Sequence, residues 1–243
     1  MRDYKTETEV RVAFIKDIIK SAKASGIVYG NSGGKDSALV GILCKMACDN
    51  TLGIIMPCSS KRNYEADKTD AEIVASHYGI AVRTVDLSDV RSGLVKAVEA
   101  ETALNSNALS NIAPRLRMTA LYAVSAAENM LVAGTGNRSE GHMGYFTKFG
   151  DGAYDFNPIA DLTVTEIYEF LAHLGAPSCV IEKAPSAGLF DGQTDEDEMG
   201  ITYRAIDEFL LNGTASEYDL EIISNFHNRS NHKRSMPPTF VDA

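Results

Sequence analysis

Apolar residues recur along the chain with two periods, and the period switches repeatedly before residue 134. Val10, Phe14, Ile15, Ile18 and Ile19 fall three and four apart, the spacing of one buried helix face, which predicts a helix over 10–22. Ile27, Val28 and Tyr29 form a short unbroken apolar run ending at Gly30, the pattern of a strand buried on both faces. The same reading predicts helices over 38–46, 64–78 and 90–104, and strands over 51–56, stopped by Pro57, and over 81–87. A longer helix is expected over 114–128, with Pro114 accommodated in its first turn, followed by a fourth strand over 130–133. Strands alternating with helices imply parallel pairing through right-handed crossovers, so the expected fold is an α/β layered domain with a parallel sheet flanked by helices. Beyond Gly134 the pattern changes. Residues 134–161 are glycine-rich and polar, and 175–199 combine prolines, glycines and an acidic run, too long for idle connections. Two helices over 200–211 and 216–228 close the chain, which contains no internal repeat.

Composition narrows the classes. With 243 residues, 44% hydrophobic and 23% charged, the chain falls in the globular range and fits one large domain. No apolar run approaches the ~20 residues that span a bilayer, and the start MRDYKTETEVR lacks a signal-peptide core. The expectation is a soluble, cytoplasmic protein without a membrane partner. A net charge of −10 argues against general nucleic-acid binding, which needs a basic footprint. A small phosphorylated ligand stays possible where backbone amides, a metal ion or a few placed Lys and Arg give local relief. Cys44, Cys48, Cys58 and Cys179 form no CxxC pair and read as buried thiols of the core.

The candidate chemistry starts at Gly30-Asn31-Ser32-Gly33-Gly34-Lys35-Asp36-Ser37, between the first strand and the next helix. Open parallel sheets bind ligands at this end, and glycines there let backbone N–H groups approach an anion at a helix amino terminus. It is not a Walker A loop, because three residues separate Gly30 from Gly34 and Asp36 follows Lys35 where that motif has Ser or Thr. A carboxylate beside a phosphate cradle needs a cation between them, which points to Mg²⁺ on Asp36. The alternative is an ordinary tight turn with Asp36 and Ser37 as helix caps.

The string Ser32-Gly33-Gly34-x-Asp36-Ser37 resembles the pyrophosphate loop of the N-type ATP pyrophosphatase superfamily, whose members cleave ATP between its α and β phosphates. The stretch 111–158, NIAPRLRMTALYAVSAAENMLVAGTGNRSEGHMGYFTKFGDGAYDFNP, is similar to ammonia-dependent NAD synthetase. So are KAPSAGLFDGQTDEDEMGITYRAIDEFL at 183–210 and His232-Lys233-Arg234, and the resemblance covers nearly the whole chain in order. It implies a Rossmann-like layered domain of the adenine nucleotide alpha hydrolase type. The implied activity is ATP-dependent amidation of deamido-NAD by ammonia. It also implies that the chain is one synthetase unit without the amidase domain of glutamine-dependent versions, and that it forms a homodimer. The helix around Leu116 to Ala127 then serves either the dimer or the ordinary core.

The resemblance assigns residues as well. It makes Asp36 and Glu140 the Mg²⁺ ligands, adds Thr135 and Ser186 to the loop residues as ATP contacts, and gives deamido-NAD to Arg115, Lys148, Asp155, His232 and Lys233. Taken singly, these residues also suit plainer roles. Glu140 reads equally as a solvated loop acid, Arg115 as a surface charge, and residues 232–234 as a basic tail. Two departures stand out. Val164 follows Leu162-Thr163 where the family has a Lys that reaches ATP phosphates, so that either the ATP site lacks one cation or Lys183 substitutes for it, and Pro114 replaces a small helical residue. The segment 57–70 matches poorly and receives no role, and the acidic run 195–198 reads most simply as a solvated loop. Two other functions compete: a related pyrophosphatase with another acceptor, and a nucleotide-binding sensor without catalysis.

Overall fold

The computed structural model describes residues 2–58, 66–181 and 195–240. In chain order its elements are α1 (Tyr4–Ala22), β1 (Gly26–Gly30), α2 (Lys35–Ala47), β2 (Thr51–Ile55), α3 (Ala66–Tyr78), β3 (Ala81–Thr84), α4 (Ser88–Glu99), α5 (Ser106–Glu128) and β4 (Met130–Ala133). Then follow α6 (Arg138–Met143), α7 (Val164–His173), α8 (Ser178–Ile181), α9 (Asp195–Met199), α10 (Tyr203–Asn212), α11 (Glu217–Arg229) and α12 (Asn231–Arg234).

The four strands form one parallel sheet in the order β3-β2-β1-β4. β1 is central, with Val28 opposite Leu52 on one side and Val132 on the other. Its side chains alternate between two cores, as a strand covered on both faces requires. Ile27 and Tyr29 pack with Leu39, Ile42 and Leu43 of α2, Ile15 of α1 and Phe170 of α7. Val28 packs on the other face with Leu52, Ile54 and Val132, beneath Leu116, Leu121 and Val124 of α5. That face of α5 therefore belongs to the core. A third cluster joins Met143, Val164, Met199, Tyr203, Ile206 and Ile223, and so ties together α6, α7, α9, α10 and α11. Cys44 and Cys58 are buried, Cys48 and Cys179 half-buried, and none of the four is in a disulfide among the described residues.

The structure corrects several expected boundaries. α5 starts at Ser106, where the Asn105 side chain accepts from the Ala108 N–H, and Pro114 lies well inside it. Proline removes one backbone bond and crowds the carbonyl four residues back. Packing of the helix on the sheet carries it through that defect. The first two turns escape a hydrophobic reading because Ser106, Asn107, Ser110 and Asn111 line a cavity instead of a core. α7 is missing from the expected elements, although Val164, Ile167, Phe170 and Leu171 are buried at helical spacing. The stretch 134–161, expected to be loop, contains α6.

At the centre of the core the Tyr29 hydroxyl is buried without a hydrogen-bond partner among the described residues. It sits where a side chain on Gly41 would collide with it, so glycine at 41 is the condition for the tyrosine's presence. Removing an unpaired buried hydroxyl while keeping the ring relieves its desolvation cost. Tyr29→Phe is expected to raise unfolding free energy by about 1 kcal/mol in urea titrations. A clear loss of stability would mean that the hydroxyl is satisfied.

Candidate active site

The glycine-rich loop leaves β1 and is pinned by Asn31. Its backbone N–H donates to Ile54 O (2.9 Å) in β2, and its side chain donates to Ala71 O (3.2 Å) in α3. Gly33 adopts a left-handed φ of 73°, which turns the chain toward α2 and favours glycine. Gly34 is the N-cap of α2 and offers no side-chain cap, so the positive end of a 13-residue helix lies at the cavity wall. Ser32 Oγ accepts from the Gly34 N–H (3.3 Å) and lies 3.1 Å from Ser37 Oγ, holding the turn tight. The cap reading of Asp36 and Ser37 does not hold: Asp36 is the second residue of the helix, and the Ser37 hydroxyl donates to Gly34 O (3.0 Å).

Parallel pairing of β4 beside β1 brings the loop after β4 to the same edge. There Asn137 caps α6 in a reciprocal box: its side chain accepts from the Glu140 N–H (2.9 Å), while Glu140 Oε2 accepts from the Asn137 N–H (3.0 Å). The same Asn137 side chain donates to Asp36 Oδ1 (3.0 Å), and Lys35 Nζ lies 2.8 Å from Asp36 Oδ2. Burial and the nearby Asp36 charge push the Glu140 carboxyl well above its ordinary range, with Lys35 opposing them. Burial works against the Lys35 charge, but Asp36 and Glu140 outweigh it and raise its pKa.

α9 and α10 close a further side. Asp195 is only 3% exposed and accepts from the Tyr203 hydroxyl (3.1 Å), while Glu196 accepts from the Tyr203 N–H (2.7 Å). Glu198 accepts from the Tyr145 hydroxyl (2.6 Å). The acidic run is thus a helix anchored by Asp195 and Glu196, while Asp197 and Glu198 stay exposed. The expectation of a solvated loop holds only for the exposure of its second half. Beneath it, the buried Asp207 carboxylate accepts from the Ser139 hydroxyl (2.5 Å) and from both the N–H and the hydroxyl of Thr165 (2.7 Å each). This carboxylate fastens the helix carrying Glu140 to α7 and α10.

Between these walls lies a cavity of about 870 Å³, within the size range of small-molecule sites. The loop, Asp36 and Glu140 line it, and so do Arg117, Asp151, Arg229 and Lys233. Arg117 Nε also donates to Met56 O (3.2 Å), just beyond β2. Lys233 donates to Gly144 O (2.7 Å) and Phe146 O (2.6 Å) from α12, so residues 232–234 are part of the fold and not a loose tail. Gly144 caps α6 at φ 65°, and any side chain there would run into Ser230. Burial raises the Asp151 carboxyl above its usual range, against the opposing charges of Lys233 and Arg117.

The family model described as NAD synthase matches residues 7–237. The chain belongs to the NAD synthase family. It is 45% identical to the NH(3)-dependent NAD(+) synthetase of Carboxydothermus hydrogenoformans, over 97% of each chain. Among solved structures, an NMN synthetase from Francisella tularensis is 37% identical with a TM-score of 0.93, covering 98% of this chain and 99% of that one. An NH3-dependent NAD synthetase from Campylobacter jejuni is 32% identical with a TM-score of 0.80, covering 99% and 100%. The four-stranded sheet and its helices are the Rossmann-like adenine nucleotide alpha hydrolase fold of these NAD synthetases, and the chain is a ligase of their kind.

Against that family, the expected residues fall into three groups. Asp36, Glu140, Thr135 and Lys233 line the cavity with the loop. Arg115, Lys148 and His232 lie together beside it: Arg115 Nε donates to Lys148 O (3.4 Å), and Lys148 Nζ donates to His232 O (2.5 Å). Asp155 is tied to the sheet edge, accepting from the Val132 N–H (2.7 Å) and the Tyr122 hydroxyl (3.2 Å). Ser186 and Lys183 lie outside the described residues. Val164 is buried in the cluster of Met143, Met199 and Tyr203. The residues missed by the sequence reading are Asn137, Arg117, Asp151, Asp195, Tyr203 and Asp207. Asn137 had a local signal, the N-x-x-E spacing to Glu140, and Asp151 is held locally by the Thr147 N–H (2.9 Å), but nothing local brings the others to the site.

Two outcomes are expected here. Asp207→Ala leaves the Ser139 and Thr165 donors without their acceptor inside the protein. It should cost about 3 kcal/mol in chemical denaturation, and a loss under about 1 kcal/mol would show that the helices hold without it. His142 stacks on His227 with ring centroids 4.3 Å apart, and burial, His227 and two arginines lower its pKa to about 4. A histidine depressed in the folded state contributes stability above its unfolded pKa and loses it as pH falls through the folded value. The thermal midpoint should therefore drop between about pH 6.5 and 4, and His142→Phe should flatten that slope.

Proposed function

We propose that the protein converts deamido-NAD to NAD with ATP and ammonia, releasing AMP and pyrophosphate. The observation that carries this reading is the convergence of a phosphate-loop helix terminus, the Asp36–Glu140 pair and the cations Arg117, Arg229 and Lys233 on one cavity, in a chain of the NAD synthase family. The nicotinate carboxylate resists direct displacement by ammonia. Attack of that carboxylate on the α phosphorus of ATP forms a mixed anhydride and expels pyrophosphate; ammonia then attacks the adenylated carbonyl and AMP leaves. The amides at the start of α2 and the loop glycines stabilise charge developing on the phosphate oxygens. Lys233 and Arg117 attract the anionic acceptor into the same cavity. No side chain need act as a nucleophile, and the work of the site is positioning and electrostatics.

The donor set suits Mg²⁺, a hard cation that takes carboxylate oxygens and phosphate together. Asp36 and Glu140 would hold it, and when bound it supplies charge neutralisation on the ATP phosphates. Asn137 fixes both carboxylates at the cavity wall for that purpose. Thr135 and Ser186 serve ATP, while Arg115, Lys148, Asp155 and His232 serve the acceptor with Lys233. Arg115, Lys148 and His232 stand outside the cavity wall, which suits the part of a dinucleotide that extends beyond the reacting end. A single synthetase unit, a homodimer and a cytoplasmic location complete the proposal. No helix of the described residues is long and apolar enough to cross a membrane.

A second acceptor has a specific observation in its favour. The Francisella structure named as an NMN synthetase superposes on 98% of this chain. A synthetase forming NMN by the same amidation would take nicotinate mononucleotide, which lacks the adenylate half.

One assay tests both readings: Mg-ATP and ammonium with deamido-NAD or nicotinate mononucleotide, following AMP, pyrophosphate and the amide product. Equimolar formation of all three with deamido-NAD supports the first reading. A kcat/KM at least tenfold higher for the mononucleotide supports the second, and ATP binding without cleavage supports a sensor. Asp36→Asn should lower turnover by about 100-fold or more while circular dichroism stays unchanged, and near-normal turnover would remove Asp36 from the reacting centre.

A further inference from the structure

Lys35 is the first residue of α2 and only 6% exposed, an uncommon place for a lysine. Its Nζ lies 2.8 Å from Asp36 Oδ2, and the rings of Tyr168 and Tyr203 approach it at 5.9 and 5.7 Å. Asn137 Nδ2 takes the other oxygen of Asp36 at 3.0 Å. Both oxygens of this carboxylate are therefore engaged, one by an amide and one by a full positive charge. A divalent cation that coordinates Asp36 has to contend with the ammonium for Oδ2. Two cations cannot share one oxygen in a half-buried site without strong repulsion. The lysine stem is flexible and the residue lines the cavity, so an ammonium displaced from Asp36 can turn toward an anion in the phosphate loop.

We propose that Lys35 is a resident counter-ion of the Asp36–Glu140 pair: it competes with the divalent cation for Asp36 and passes to an ATP phosphate when both ligands arrive. This rests on the reading of Asp36 and Glu140 as the cation site. It has a thermodynamic consequence. The cation alone binds weakly because it must displace an ion pair, and the nucleotide alone binds with the lysine still held. Together each offsets the other's cost, so cation and ATP bind cooperatively, and the coupling is reciprocal. The device also offsets the charge of Asp36 inside a protein of net charge −10 before the substrate arrives.

The test uses the full chain and Mn²⁺, measured by electron paramagnetic resonance, with and without the non-cleavable α,β-methylene analogue of ATP. Lys35→Met keeps an unbranched stem and removes the charge, and Lys35→Gln is a polar second variant should the first not fold. In either, Mn²⁺ binding without nucleotide should tighten about tenfold, the effect of one unit charge in a partly solvated site. Binding of the analogue should weaken, and the enhancement of Mn²⁺ affinity by the analogue should fall at least tenfold. Lys35→Arg should retain the cooperativity. Asp36→Asn should lose Mn²⁺ binding at this site. If Asp36→Asn loses Mn²⁺ binding while Lys35→Met and Lys35→Gln leave it unchanged, the counter-ion role is overturned and the cation site stands. If Asp36→Asn also binds Mn²⁺ as the native chain does, the cation site falls and the proposal with it.

Discussion

The side-chain amide of Asn137 is the point on which the site depends. It donates to Asp36 Oδ1 across 101 positions of sequence and accepts the Glu140 N–H in the first turn of α6, while the Asn137 backbone N–H donates to the Glu140 carboxylate. One residue thereby fixes the separation of two carboxylates that belong to different helices. The bond exists because β4 lies beside β1, with Ala133 paired to Tyr29, so that the chain leaves both strands at the same edge of the sheet. Any other strand order would move Glu140 away from the phosphate loop, whatever the local sequence. Ser139, next to Glu140, then reaches the buried Asp207, and that contact extends the constraint into α7 and α10.

Electrostatics explain how a protein of net charge −10 can receive two polyanionic substrates. The field of the whole molecule opposes them, so attraction has to be local. Two sources of it are present in the cavity. One is the amino terminus of α2 with its amides and dipole, where Lys35 pairs with Asp36. The other is the set of cations Arg117, Arg229 and Lys233 that line the same cavity. Lys233 owes its position to two backbone carbonyls that hold its ammonium and to Gly144, whose missing side chain lets Ser230 close against the end of α6.

Much of the fold was legible because its signals are local. The apolar run at Ile27–Tyr29 and the glycine-rich turn after it declare a parallel strand feeding an anion-binding helix. What misled the reading was polarity that serves the cavity. Ser106, Asn107, Ser110 and Asn111 open α5 yet carry no buried apolar stripe, so the helix was expected to begin at Pro114. The same holds for α6, whose six residues present a capping box but almost no hydrophobic face. The acidic run 195–198 looked solvated because nothing in its own residues names Tyr145 and Tyr203 as partners.

Sequence alone determined the layered α/β class, the glycine-rich turn between β1 and α2, and the family resemblance, and it was the resemblance that singled out Glu140 beside Asp36. The class and the turn are written in residue types at fixed spacing, which depends on backbone geometry and short-range chemistry. Tertiary structure decided which residues share the cavity and which stand beside it: Lys233 on the wall, Arg115 and Lys148 outside it, Asp155 tied to the sheet edge. It also decided that Lys35 is paired with Asp36 beneath two tyrosine rings. Those are contacts between segments far apart in sequence, set by strand order and by the packing of helices on the sheet, and no local pattern encodes them.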